Sequence, residues 1–157
     1  MISNERRNFL KGATATGVVA IAAGAGLLRP ATVWAADWPK AAFSAKTIDQ
    51  ALSDLYGSSQ QTSSKDLKIT ANLQAENGAM VPVQIQTSMP NVDAISIYVK
   101  ENASPLVANV KLSGAAALFR SNIKMLKTSD VVFVVRAGGK LYSAKQNIKV
   151  TAGGCGG

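Results

Sequence analysis

The 157-residue chain contains no histidine and a single cysteine, and both scarcities narrow what it can be. Without imidazole, zinc sites built on histidine, thiol–imidazole dyads and serine–histidine triads are excluded within this chain. With one cysteine no intrachain disulfide can form, so an exported domain of this sequence is held together by its core alone. Aromatics are sparse at 6%, and nine acidic residues face 17 basic ones for a formal charge of +8. No aromatic-basic motif for stacking bases accompanies that charge, so small anions or acidic protein surfaces are expected as partners and nucleic acid is not. The hydrophobic fraction of 47% is that of a globular protein, and the length suits one ordinary domain.

Much of the apolar content lies at the start. "NERRNFLKG" places Arg6 and Arg7 ahead of Phe9, Leu10 and Lys11, and an Ala- and Gly-rich run follows from Gly12 to Leu28. This resembles a twin-arginine export signal, with Glu5 where a small hydroxyl residue is usual. Val33 and Ala35 suit cleavage after Ala35, which makes residues 1–35 a removable leader and directs the mature chain to the periplasm. A retained membrane anchor is the alternative, but a run so rich in Ala and Gly is weakly hydrophobic, and no membrane span is expected after processing. The leader carries +3 (Arg6, Arg7, Lys11 and Arg29 against Glu5), leaving the mature domain +5.

In residues 36–65 one helix is predicted, over "KTIDQALSDLYG". Thr47 and Gln50 have capping-box spacing, Ile48, Ala51, Leu52 and Leu55 form one apolar face, and Gly57 can end the helix in the left-handed conformation. Gly57 to Lys65 is polar and reads as a flexible connection. Over 66–151 the period changes to two. Leu67, Ile69, Ala71 and Leu73 alternate with polar residues, Asn77-Gly78 supplies a turn, and Val81, Val83 and Ile85 return on one face. Pro82, unable to donate to a ladder, belongs on an edge or at a bulge. Further strands are predicted from Ala94, Leu106, Ala117, Asp130 and, after the Gly138-Gly139 turn, Lys140. Seven short strands at this spacing define a mainly β fold, an immunoglobulin-like antiparallel β-sandwich preceded by a helical segment. Arg120, Lys124 and Lys127 read as an ordinary solvated face that can also attract an anion, and Tyr98 and Tyr142 fit core or subunit-contact positions equally well.

The remaining residues, 152–157, form "AGGCGG". Gly153, Gly154, Gly156 and Gly157 leave Cys155 without a side chain within two residues on either side, so the backbone can enter a narrow cleft. Ala152 to Cys155 spans roughly 10 Å when extended, at about 3.3 Å per residue. The tail offers neither a base nor a cation to activate the thiol. Four uses fit: a swinging arm presenting a covalently held group to other proteins, an intermolecular disulfide in a structural or adhesive sandwich, an idle tail, or adventitious metal binding. An enzyme is not expected, because the only thiol nucleophile lacks any fixed neighbour.

"VTAGGCGG" resembles the ending of the SoxY family, the sulfur-carrier subunits of the Sox thiosulfate-oxidising system, and "AENGAMVPVQI" and the leader are similar as well. The resemblance covers essentially the whole chain. It implies that Cys155 is the covalent attachment point for sulfur intermediates, with no other cofactor. It also implies a SoxZ-like companion subunit in a heterodimer. Further partners would be a c-type cytochrome that couples thiosulfate to the thiol, a hydrolase that releases sulfate and, in some systems, a sulfane dehydrogenase.

Overall fold

The computed structural model describes residues 38–151; the predicted twin-arginine leader and the predicted arm, with Gly153, Gly154, Cys155, Gly156 and Gly157, lie outside the described residues. From Pro39 onward the described residues belong to one compact unit. Two helices, α1 (Lys40–Ser44) and α2 (Ile48–Tyr56), precede nine strands: β1 (Thr62–Ser63), β2 (Lys68–Ala71), β3 (Gln74–Ala75), β4 (Val81–Gln86), β5 (Val92–Val99), β6 (Leu106–Lys111), β7 (Leu118–Ile123), β8 (Ser129–Ala137) and β9 (Lys140–Val150).

The helix α2 follows its sequence signals closely. Thr47 Oγ1 accepts from the Gln50 amide at 3.2 Å, while the Gln50 side chain reaches back to the amide of Lys46, one residue beyond the usual capping-box partner. Gly57 closes the helix at φ 75°, a left-handed conformation that suits glycine. Ala51 and Leu52 are fully buried, and burying a leucine contributes about 1.5–3 kcal/mol. The short α1 is an addition to the single helix predicted; at five residues it is too brief to show a period, and it packs Ala42 beside α2.

Strands run in the order β1-β9-β8-β5-β6 in one sheet, with β3 also on β9, and β2-β4-β7 in the other. Alternate residues of β5 and β8 face opposite ways. Ile95, Ile97, Val99, Val131, Phe133 and Val135 meet Val81, Val83 and Ile85 of β4 inside the sandwich. On the outer face Tyr98, Val134 and Leu141 lie under the helices. The larger sheet is therefore covered on both faces, which is why "AISIYV" and "DVVFVV" lack a polar alternate row. The result is an immunoglobulin-like sandwich, antiparallel except where the two-residue strands β1 and β3 run parallel to β9. β1 lies within the stretch predicted as a flexible connection, where two paired residues among polar neighbours leave no periodic signal.

Two local expectations change, those for Leu73 and Pro82, while the Asn77-Gly78 turn forms as expected with a further reason for its glycine. Leu73 is not on the buried face: the chain leaves β2 after Ala71 and crosses to β9, and Leu73 is 71% exposed. Gly78 does not have a positive φ; it is needed because a Cβ there would lie 2.5 Å from the Met125 carbonyl oxygen. Pro82 sits in the middle strand of its sheet, yet β2 has already ended with Ala71 opposite Val83, so on that side Pro82 has no partner to disappoint. Gly138 and Gly139, at φ 56° and 77°, form the predicted β8–β9 turn.

Tyr98 is a core residue and Tyr142 a half-buried one packed on the sandwich interior. The Tyr98 hydroxyl is buried without a hydrogen-bond partner, and that burial holds its phenol above the ordinary value of 10.0. A raised phenol contributes its full stability below about pH 10 and loses it as pH climbs towards the folded-state value. Tyr98→Phe, which removes the orphaned oxygen, is expected to leave stability equal or up to about 1 kcal/mol higher at pH 7. It should also soften the alkaline fall above pH 10; urea titrations at pH 7 and 10.5 measure both.

Candidate functional site

The predicted attachment residue Cys155 and the four arm glycines lie outside the described residues, so what the fold displays is their root. That root is built by three segments that meet at the end of β9. Lys149 N donates to Leu73 O at 2.9 Å, and Thr151 N donates to Ala75 O at 3.0 Å. Between them, Val150 N donates to Thr128 Oγ1 at 3.0 Å. The Thr151 hydroxyl adds a bond to Ala75 O at 3.3 Å. The strand thus stays paired on both sides to its last residue, and the tail leaves from a fixed point.

A second tier holds those partners. Gly78 lies against Val150, and its carbonyl accepts from Met125 N at 2.7 Å. Asn102 clamps the loop after β7, donating to Lys124 O at 2.8 Å and accepting from Leu126 N at 3.0 Å. Lys127 pairs with Glu101 at 3.0 Å on the surface, an interaction of well under about 1 kcal/mol. Leu73, Met80 and Leu126 are largely exposed around this end of the sandwich. Of the basic residues singled out in the sequence, Arg120 lies on the outer face of the smaller sheet and donates twice to Gln84 Oε1. Lys124 and Lys127 are in the loop, since β7 ends at Ile123. The three therefore do not form one strand face.

Nothing in the sequence marks Thr128 or Ala75 as anchors. The Asn77-Gly78 pair was legible, but as a turn; Asn77 does build one, accepting from Ala79 N at 2.9 Å, while the packing role of Gly78 depends on a residue 47 positions away. Among the described residues no group of three or more acidic or cysteine side chains is placed to hold a metal ion. None of the described helices is long and apolar enough to cross a membrane.

A sandwich whose last strand is hydrogen-bonded as far as Thr151 fixes the point from which the glycine–cysteine segment departs. Residues 52–155 match the family of the sulfur oxidation protein SoxY, a span that reaches the cysteine itself. The structure of the sulfur carrier protein SoxY from Chlorobium limicola f thiosulfatophilum is 41% identical, covers 71% of this chain and 97% of its own, and superposes with a TM-score of 0.62. This chain belongs to the SoxY family, a family of sulfur carriers and not of enzymes. A superoxide reductase (neelaredoxin) from Ignicoccus hospitalis is 19% identical over 54% of this chain and 80% of its own, with a TM-score of 0.48. No curated protein matches the chain.

Proposed function

We propose that the mature chain carries sulfur intermediates covalently on Cys155 during thiosulfate oxidation and hands them from one enzyme to the next. The observation that carries this reading is the family match running to residue 155, at the end of a strand anchored through Thr151. The chemistry begins with an S–S bond between the thiol and the sulfane sulfur of thiosulfate. The thiol loses its proton, and an electron pair leaves to a c-type cytochrome. Water then cleaves the terminal S–SO3 bond at a partner hydrolase, giving hydrogen sulfate and a persulfide on the cysteine. A sulfane dehydrogenase takes the persulfide further where the host has one. A single cysteine suits this cargo, because a second nearby thiol could displace it and close a disulfide.

Export in the folded state by the twin-arginine route, to the periplasm, accounts for the leader. A SoxZ-like subunit travelling in the same complex gives that route a reason. From Thr151 to Cys155 the chain spans about 13 Å at most, at about 3.3 Å per residue. A partner that takes the thiol must press against the root, where Leu73, Met80 and Leu126 offer it an apolar seat.

The test is the intact mass of the mature protein from cells oxidising thiosulfate, recorded before and after reductant. Sulfur-bearing adducts on the C-terminal peptide that vanish on reduction are expected. A bare thiol would overturn the carrier reading, and a reducible dimer of this chain with no sulfur adduct would favour the disulfide-linked structural role.

A further inference from the structure

At the far end of β9 from the tail, a cleft of about 720 Å³ opens between the connection leaving α2 and the β8–β9 turn. Tyr56, Ser58, Gln60, Gln61 and Thr62 line one wall, and Arg136, Gly139, Lys140 and Leu141 the other. Two of these nine residues are cationic and none is a carboxylate. The connection is not slack here, because β1 fixes Thr62 and Ser63 against Tyr142 and Ser143. Ser58 Oγ accepts from Gln60 N at 3.1 Å, which leaves its proton to donate elsewhere.

Arg136 is held in one pose from two directions. Its Nε donates to Asp93 Oδ1 at 2.7 Å, and the guanidinium carbon lies 5.3 Å from the centroid of the Tyr56 ring. The Tyr56 hydroxyl is itself tied to Ser96 and Asn109, at 3.0 and 3.3 Å. Asp93 reaches Arg136 because the β5–β8 register slips between Val92 and Ala94, making Asp93 the extra residue of a bulge. Bulges re-aim side chains in this way and are frequent beside binding sites. The carboxylate occupies Nε and is not among the residues lining the cleft, so the Nη pair remains as an in-plane fork for an anion.

We propose that this cleft binds a free tetrahedral oxyanion of double negative charge, sulfate or thiosulfate, on the Arg136 fork, with Lys140 adding charge and the hydroxyl and amide side chains of Ser58, Gln60, Gln61 and Thr62 completing its hydrogen bonds. The ligand is not the cargo of this chain's own thiol. Lys140 to Val150 extends about 33 Å at about 3.3 Å per residue, and the tail adds about 13 Å beyond Thr151 in its longest form, too short to fold back over that distance. The inference rests on the cleft and not on the carrier reading, and it stands or falls separately.

Its test is an NMR titration of the ¹⁵N-labelled mature protein with sodium sulfate, and separately with sodium thiosulfate, against sodium chloride at equal ionic strength. Saturable shifts confined to residues 56–62 and 136–141 are expected for both oxyanions and not for chloride. Lys140→Gln, which leaves the Asp93–Arg136–Tyr56 arrangement in place, is expected to weaken binding at least about fivefold, and Arg136→Gln to remove it. The absence of saturable shifts beyond the chloride control would overturn the proposal, as would unchanged affinity in both variants. Saturation at another surface would do the same.

Discussion

Cys155→Ser is expected to reduce thiosulfate-dependent cytochrome reduction and sulfate release to background in a system reconstituted with the partner enzymes. The hydroxyl keeps the size of the thiol but cannot form an S–S bond with thiosulfate, and no other thiol exists in the chain to take over. Stability should not change, because the hydrogen bonds that close β9, made by Lys149, Val150 and Thr151, are formed with Leu73, Thr128 and Ala75 and do not use the Cys155 thiol. Binding to the proposed SoxZ-like subunit should survive as well. The readouts are the rate of cytochrome reduction with thiosulfate, sulfate produced, and the urea midpoint. Turnover at the wild-type rate by the serine variant would remove the carrier reading outright. Lost turnover with a lowered midpoint would point to a structural role for the tail.

Gly78→Val is expected to produce the largest loss of stability of any single change near the root, about 2–3 kcal/mol by overpacking. The added Cβ would fall 2.5 Å from a backbone oxygen, Met125 O, and 3.0 Å from Val150 Cγ1. A side chain can turn away, but a carbonyl held in place by the neighbouring Gly78–Met125 bond cannot without moving the loop. Displacing that loop also shifts Thr128, three residues on, and with it the acceptor for Val150 N. Two measurements check this: a urea midpoint lowered accordingly, and faster hydrogen exchange at the Val150 and Thr151 amides. A variant as stable as the wild type would mean that the loop yields freely and is not what positions the end of β9.

The contrast between Gly57 and Gly78 illustrates what was legible beforehand. Gly57 follows an amphipathic helix whose capping residue, Thr47, stands ten positions earlier, so its left-handed role could be read locally. Gly78 owes its identity to a loop brought alongside by the packing of two sheets, and a glycine after asparagine looks the same whichever reason applies. The long strands were readable from their period or from their apolar runs. β1 and β3 were not, since two residues cannot display alternation, and β3 captured the segment around Leu73 and turned that side chain outward. Cys155 was conspicuous because it is unique and flanked by glycines. The residues that fix its point of departure, Ala75, Gly78 and Thr128, are ordinary in kind and scattered in sequence. Arg136, Asp93 and Tyr56 likewise come from three elements, and only a register slip in β5 brings the carboxylate onto the guanidinium.

The pairing of β9 has a mechanical consequence. This strand is flanked along its length by β8, by β1 at its beginning and by β3 at its end. A partner that grips the tail and then withdraws pulls on Thr151, roughly along the strand axis. Such a load is shared as shear by the whole ladder to β8, whereas a strand pulled sideways would open one bond at a time like a zip. The two short parallel strands, negligible in length, sit where peeling would start. Tension at the chain end is therefore expected to break the grip of the partner before it unravels the domain.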